Sequence, residues 1–352
     1  MGIFSWLFKG RGNNAGMKTA QEVRGTITPY DQGVAYYRGI GVEQDYSKAF
    51  YYLKLADEMG VPEASCFLGE MYEYGNCVEK DVEKALALYR RSADLGCATA
   101  IAILGNFYFA GDYVPKDYQK ALNLYEAASA AGSSLGHKKL AWMYLIGIGV
   151  QINEHNAFEL YLKAAEQGDV EAQGMAAWCY VKGRGIAQNT TIAQRWAEKA
   201  IAQGSSLGMY VMYLAERHRN TTKAKQWIEK AADAGDLNAL RDIAENYEKG
   251  YGGFPLDINK AQEYWRKAAA LGSEDAQWAL KYPDPWVRES WRRRDKLLKA
   301  GINPDAALRN SVSETVTTDI FGNTLAYSSS DGSGTTVHRD VMGNTIGYSE
   351  QR

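Results

Sequence analysis

Between residues 25 and 282 apolar side chains recur every three or four positions, the period of helices buried along one side. Over that lies a longer beat. Glycine returns at Gly60, Gly96, Gly132, Gly168, Gly204, Gly235 and Gly272, with spacings of 36, 36, 36, 36, 31 and 37. Eleven residues before each stands an alanine: Ala49, Ala85, Ala121, Ala157, Ala193, Ala224 and Ala261. Four residues earlier again there is always Asp or Asn: Asp45, Asp81, Asp117, Asn153, Asn189, Asn220 and Asp257. The acid or amide is the residue type that accepts hydrogen bonds from the free amides of a helix's first turn. The glycine is the type that closes a helix in the left-handed conformation. The interval between them predicts a helix of about four turns, with a small residue at Ala56, Ser92, Ala128, Ala164, Ala200, Ala231 and Ala268 to admit a close neighbour.

A second helix is predicted ahead of each of these. Ala64, Ala100, Gly136, Ala172, Gly208, Ala239 and Ala276 are followed four residues on by Leu68, Leu104, Leu140, Ala176, Met212, Ile243 and Leu280. Tyr72, Tyr108, Tyr144, Tyr180 and Tyr247 come next, each three residues before a glycine. These columns are read as core. An apolar plug (Val42, Val78, Val114, Val150, Ile186, Phe254) precedes each cap. The unit is thus helix A, loop, helix B, turn. A lone hairpin cannot bury its apolar face, whereas stacked ones can, which predicts an all-α fold, an α/α solenoid of about seven hairpins. The units run 25–60, 61–96, 97–132, 133–168, 169–204, 205–235 and 236–272, with a capping helix at 274–282 that Pro283 and Pro285 end. The sixth is short, and its loop around Arg217, His218 and Arg219 lacks both glycine and plug, so its stacking is expected to differ.

The stretches LGEMYEYGNCVEKDVEKALALYRRSADLG (68–96) and LGNFYFAGDYVPKDYQKALNLYEAASAAG (104–132) closely resemble the Sel-one-like repeat (SLR), a relative of the tetratricopeptide repeat. The resemblance implies a bacterial scaffold or adaptor for protein–protein complexes. It names no partner. In helical-hairpin solenoids the A helices line the concave wall. The A-helix positions left free by packing lie six, ten and thirteen residues past the preceding glycine. In the middle of the chain these are apolar, and the candidate partner groove is Asn106, Phe109, Trp142, Leu145, Trp178, Val181, Tyr210 and Leu214. Its expected guest is an apolar-containing peptide, an amphipathic helix or another protein surface. The opposing expectation is that tight curvature buries this column.

Composition narrows the choice. The 352 residues carry a formal net charge of −2, and residues 25–282 hold 27 basic and 32 acidic side chains, so nucleic acid is not an expected partner. The histidines (His137, His155, His218, His338) are scattered outside any metal-ligand spacing, and no phosphate-loop or nucleophile motif occurs. No catalytic residue, cofactor or metal is expected; an unrecognised hydrolase is the distant alternative. Cys66, Cys77, Cys97 and Cys179 form no CxxC pair and read as free thiols in a reducing cytoplasm. Residues 1–24 read as a flexible segment whose apolar start, Met1–Phe8, followed by Lys9 and Arg11, is a weak candidate membrane foot, giving the alternative of a membrane-associated adaptor. Residues 283–302 read as a basic helix whose Trp286 and Trp291 could cap the last hairpin. In 303–352, DIFGNTLAYS (319–328) and DVMGNTIGYS (340–349) repeat with a 21-residue offset and predict a small tail of two β-hairpins. The oligomeric state is not legible.

Overall fold

The structure, a computed structural model, describes residues 27–282 and the backbone of 315–318, 324–330, 335–340 and 345–350. The expected membrane foot at Met1–Phe8 and the basic helix at 283–302 lie outside the described residues. Among those described, the A helices are α1 (Pro29–Arg38), α3 (Pro62–Tyr74), α5 (Ala98–Ala110), α7 (Ser134–Ile146), α9 (Val170–Lys182), α11 (Ser206–Glu216), α13 (Leu237–Lys249) and α15 (Glu274–Lys281). Alternating with them are the B helices α2 (Tyr46–Glu58), α4 (Val82–Asp94), α6 (Tyr118–Ala130), α8 (Glu154–Glu166), α10 (Thr190–Ile201), α12 (Thr221–Asp233) and α14 (Ile258–Ala270). The chain forms two compact units that divide between Val211 and Met212, inside the A helix of the short sixth repeat. Consecutive helices pack together from α1 to α10 and again from α12 to α15, and α5 also touches α3 and α7. This is an all-helical repeat fold of the solenoid type. C-terminal to it, strands β1 (Thr315–Thr318), β2 (Thr324–Ser330), β3 (Thr335–Asp340) and β4 (Thr345–Glu350) pair antiparallel in chain order.

Capping is as regular as its column. Asp45, Asp81, Asp117, Asn153, Asn189, Asn220 and Asp257 each accept the backbone N–H three residues on, which starts every B helix. Each B helix is then ended within three residues by its repeat glycine at φ between 80° and 94°, a conformation other residues adopt only with strain. The alanine that follows each cap and the small residue of each B helix are buried, as are the small residues that open the A helices. Across these columns the helices close to short range.

The tyrosine column departs from expectation. Tyr72, Tyr108, Tyr144 and Tyr180 are half-buried, not core. They sit near the C-termini of the A helices, and the ring faces of Tyr72 and Tyr108 meet the lysine three residues past the cap of the following B helix. Lys84 Nζ lies 4.0 Å from the Tyr72 ring centre and Lys120 Nζ 4.1 Å from that of Tyr108. The same lysines give their backbone N–H to the cap aspartates, so one residue closes both the helix start and the loop.

The fully buried rings stand elsewhere, four residues after the B-helix alanine, in the column Leu53, Tyr89, Tyr125, Tyr161, Ala197, Ile228 and Trp265. Opposite the first three the A helix has glycine. A Cβ on Gly69 would lie 2.8 Å from Tyr89 Cε1, and one on Gly105 2.6 Å from Tyr125 Cε1. The ring therefore lies directly on helix backbone, and its hydroxyl reaches past it: Tyr89 donates to Glu73 at 2.7 Å and Tyr125 to Asn106 Oδ1 at 2.8 Å. In the second unit the Trp265 indole N–H donates to Glu248 at 2.8 Å.

The turn from B helix to next A helix is clamped by side chains eight residues apart. Ser65 donates to Asp57, Ser129 Oγ and His137 Nδ1 are 2.7 Å apart, and Gln173 donates to the Ala165 carbonyl. Burial, and then the charge of Lys163, hold His137 below the usual imidazole range. An unfolded chain takes up that proton first, so the stabilisation is complete above the unfolded value near ~6.5 and is lost as pH falls through and below it.

Two stability experiments follow from this packing. Asp117→Ala removes one cap and is expected to cost about 1 kcal/mol, whereas Tyr125→Ala empties the ring's seat and should cost about 3–5 kcal/mol; urea unfolding ranks them, and the reverse order would contradict the role given to the ring. His137→Gln, which copies Gln173 of the following repeat, should flatten the fall in stability between pH 7 and pH 5 relative to wild type; parallel pH profiles for the two proteins would remove His137 from the account.

Candidate functional site

The expected groove residues are distributed unevenly by the structure. Of the three positions per A helix, the first is interior in α3, α5 and α9, where Cys66, Ala102 and Gly174 are buried, whereas in α7 it is the half-buried Lys138. At the other two positions, side chains of α5 and α7 come together. Phe109 and Trp142 meet edge to face with centroids 5.1 Å apart and an interplanar angle of 70°, the arrangement aromatic quadrupoles favour. The Phe109 ring also lies 5.1 Å from that of Tyr118 at the start of α6. Trp142 stays 37% exposed, high for an indole between helices. Leu145 and Trp178 are half-buried, and the Arg184 guanidinium stands 5.8 Å over the Trp178 ring.

Farther along, the expectation of one open stripe is corrected. Val181, Tyr210 and Leu214 are 6%, 5% and 6% exposed, so they are interior side chains and form no part of an open wall. Leu214 also belongs to the second unit. Helix α11 is where the sixth repeat shortens, its loop cut to the four residues 217–220, and every residue from Tyr210 to Glu216 is buried. The two alternatives thus apply to different parts of one column: Phe109 and Trp142 are reachable, and its C-terminal end is sealed.

Around Phe109 and Trp142 a cleft of about 320 Å³ opens, lined also by Asn106, Lys138, Tyr125, Tyr161 and Glu171. Its floor is the buried phenols, which burial pushes above the ordinary tyrosine range, so they remain neutral hydrogen-bonding groups at any physiological pH. The Tyr125 hydroxyl occupies Asn106 Oδ1 and leaves the amide N–H₂ of that side chain to face a ligand. At the other wall Lys138 lies 3.1 Å from Asp169 and 2.9 Å from Glu171. Burial works against its ammonium, but the two carboxylates outweigh it and hold the charge. The cleft thus combines apolar walls with one amide and one fixed charge pair. It provides no nucleophile next to a base. Among the described residues no group of three or more His, Cys, Asp and Glu is placed to hold a metal ion.

A larger hollow of about 790 Å³ lies over the loop at 78–84, walled mainly by Glu79, Lys80, Asp81, Glu83 and Lys84. These are solvated charges around a helix cap and offer no buried anchor. Near α3, burial raises the Glu70 carboxyl above the ordinary range although Tyr37 donates to it at 3.2 Å. This end of the A-helix row is acidic, as its sequence indicated.

The floor tyrosines and Glu171 were not among the residues expected at the site. The tyrosines had a signal, since Tyr89, Tyr125 and Tyr161 recur at 36 residues just as the glycines do. Glu171 had none, because its place depends on Lys138 reaching across from another repeat.

An array of capped helical hairpins at a regular repeat defines a helical repeat protein. The Sel1 repeat model matches residues 31–61, 62–97, 98–133, 134–169, 170–205, 207–236 and 237–273, and the chain belongs to the Sel1 repeat family. Among solved structures it is similar to a protective antigen of uropathogenic Escherichia coli strains that displays an SLR fold, with 31% identity and a TM-score of 0.51 over 72% of this chain. The match spans only 55% of that antigen, so the chain corresponds to about half its length. A Sel1 repeat protein from Oxalobacter formigenes matches with a TM-score of 0.58 and 23% identity over 69% of this chain and 97% of its own, which supports the fold. Among curated proteins no match was found. No described helix is long and apolar enough to cross a membrane.

Proposed function

We propose that the chain is a non-catalytic scaffold that holds a protein partner on the A-helix face of its first unit, with the cleft at Phe109 and Trp142 as the anchor point. Sel1 repeat proteins generally serve as protein-interaction scaffolds, and the chain shares their repeat throughout the helical region. The observation that carries the reading is the edge-to-face pair of Phe109 and Trp142, with the indole 37% exposed, over a cleft of about 320 Å³. Exposed aromatic anchors in a preformed hollow are the commonest source of binding energy at interfaces. The fit is to a peptide or amphipathic helix that inserts one apolar side chain between Trp142 and Phe109 and hydrogen-bonds to Asn106. The strand repeats at the C-terminus fit an accessory β module, whose outer strands β1 and β4 are edges to which another chain could add.

The test is the affinity of a partner isolated from the native cell. Phe109→Ala with Trp142→Ala should weaken it roughly tenfold or more, while Glu248→Ala, in the second unit, should change it little. If the double variant keeps its helical signal and full affinity, the anchor assignment is wrong.

A further inference from the structure

The residue that caps each A helix forms its own column: Val61, Cys97, Ser133, Asp169, Ser205, Asp236 and Ser273. In five of the seven a side-chain oxygen accepts the amide N–H three residues on, at Gly136, Ala172, Gly208, Ala239 and Ala276. Cys97 occupies that place at the start of α5, without a side-chain cap hydrogen bond. Facing it is Cys66, from α3. The two belong to one buried cluster with Leu86, Tyr89, Leu104 and Phe107, and both are reduced. Their juxtaposition has an internal check in the repeat. Two repeats on, the equivalent positions are Lys138 and Asp169, whose side chains meet at 3.1 Å between consecutive A helices.

We propose that Cys66 and Cys97 form a peroxide-sensitive dithiol that closes to a disulfide and staples α3 to α5. The roles of the two sulfurs are unequal. The neighbouring Cys66 side chain and the start of the helix hold the Cys97 thiol below the ordinary cysteine range, whereas its neighbour and burial push the Cys66 thiol up, so that it keeps its proton. A thiolate at a helix N-terminus is the nucleophile of such a pair. The Cys97 thiolate attacks one oxygen of hydrogen peroxide; the O–O bond breaks, and the departing hydroxide takes a proton to become water. Cys97 is then a sulfenic acid. Cys66 sulfur attacks Cys97 sulfur, its proton joins the expelled hydroxide, and a second water leaves. Two thiols are oxidised by two electrons, and one peroxide is reduced to two waters. Hydrogen peroxide suits the site because it is small enough to reach sulfurs that are nearly covered. The other two cysteines have no such partner. Cys77 stands on an exposed loop and gives its S–H to the Tyr46 carbonyl, and burial raises the Cys179 thiol to about 12.

The disulfide would tie the second repeat to the third at the start of α5, the helix that carries Phe109. By restricting the unfolded chain it would also raise the resistance of this part of the molecule to unfolding.

The experiment treats the full-length reduced protein with hydrogen peroxide under native conditions, then counts thiols and maps linked peptides by mass spectrometry. The expected result is loss of two of the four thiols, a mass lower by two hydrogens, a Cys66–Cys97 peptide pair reversed by dithiothreitol, and a higher unfolding midpoint. Cys97→Ser should fold, because serine caps the same helix position at Ser133, Ser205 and Ser273, and Cys66→Ala should fold because Ala102 fills its place one repeat on. Each should abolish the link, whereas Cys77→Ser and Cys179→Ala should leave it intact. Four thiols retained in the folded protein, oxidation that begins at Cys77, or a sulfinic acid at Cys97 with Cys66 still free would overturn the proposal.

Discussion

A phenol ring resting on bare helix backbone sets how close the two helices of a hairpin can come, and the rest of the first unit is arranged around that contact. Gly69 under Tyr89 and Gly105 under Tyr125 leave no room for a methyl group without movement of the ring. The ring fills the space between A and B helices, and its hydroxyl is drawn to an acceptor on the far side of the A helix. That acceptor, Glu73 in one repeat and Asn106 in the next, sits on the face where a partner would bind. Interior packing and the recognition surface are thus joined by a single side chain. In later repeats Ala141 and Ala177 replace the glycine, while the alanine columns on either side stay the same. The repeat tolerates changes in the ring's seat but not in the small residues that let neighbouring helices touch.

Much of this was legible beforehand because caps, glycines and small residues are local devices that recur at fixed distance. Asp81 or Asn153 begins a helix whatever surrounds it, and seven copies of the same spacing removed the ambiguity of any single one. Exposure is different, since it depends on what lies opposite. Tyr72 and Tyr108 read as core from their helical spacing, yet sit under lysines at the loop edge. Val181 and Tyr210 belong to the same predicted A-helix face as Trp142 and have the same apolar character, but they are buried. The column that carries the buried rings was visible at the same 36-residue period. It was obscured because Leu53, Tyr89, Ala197 and Trp265 differ so much in size that they look like no column at all.

The consequence for function is a site both smaller and better defined than a continuous groove. It has one aromatic pair, one amide, one charge pair and a cleft of about 320 Å³ between α5 and α7. A hollow of that size accepts a side chain or two, so most of a partner's contact area must come from the flanking A-helix surface, acidic toward α3 and held by Lys138 at the other wall. On the proposed reading, selection would rest on shape and on one hydrogen bond. Redox chemistry at Cys66 and Cys97, at the far end of α5 from Phe109, would stiffen the platform without entering the cleft.

Amide hydrogen exchange on the protein alone and in complex with its purified partner addresses the central claim most directly. The account predicts new protection in residues 106–110 and 138–146, the segments that carry Phe109, Lys138 and Trp142. Protection confined to the outward sides of the B helices, such as residues 46–58, with α5 and α7 exchanging as in the free protein, would contradict it.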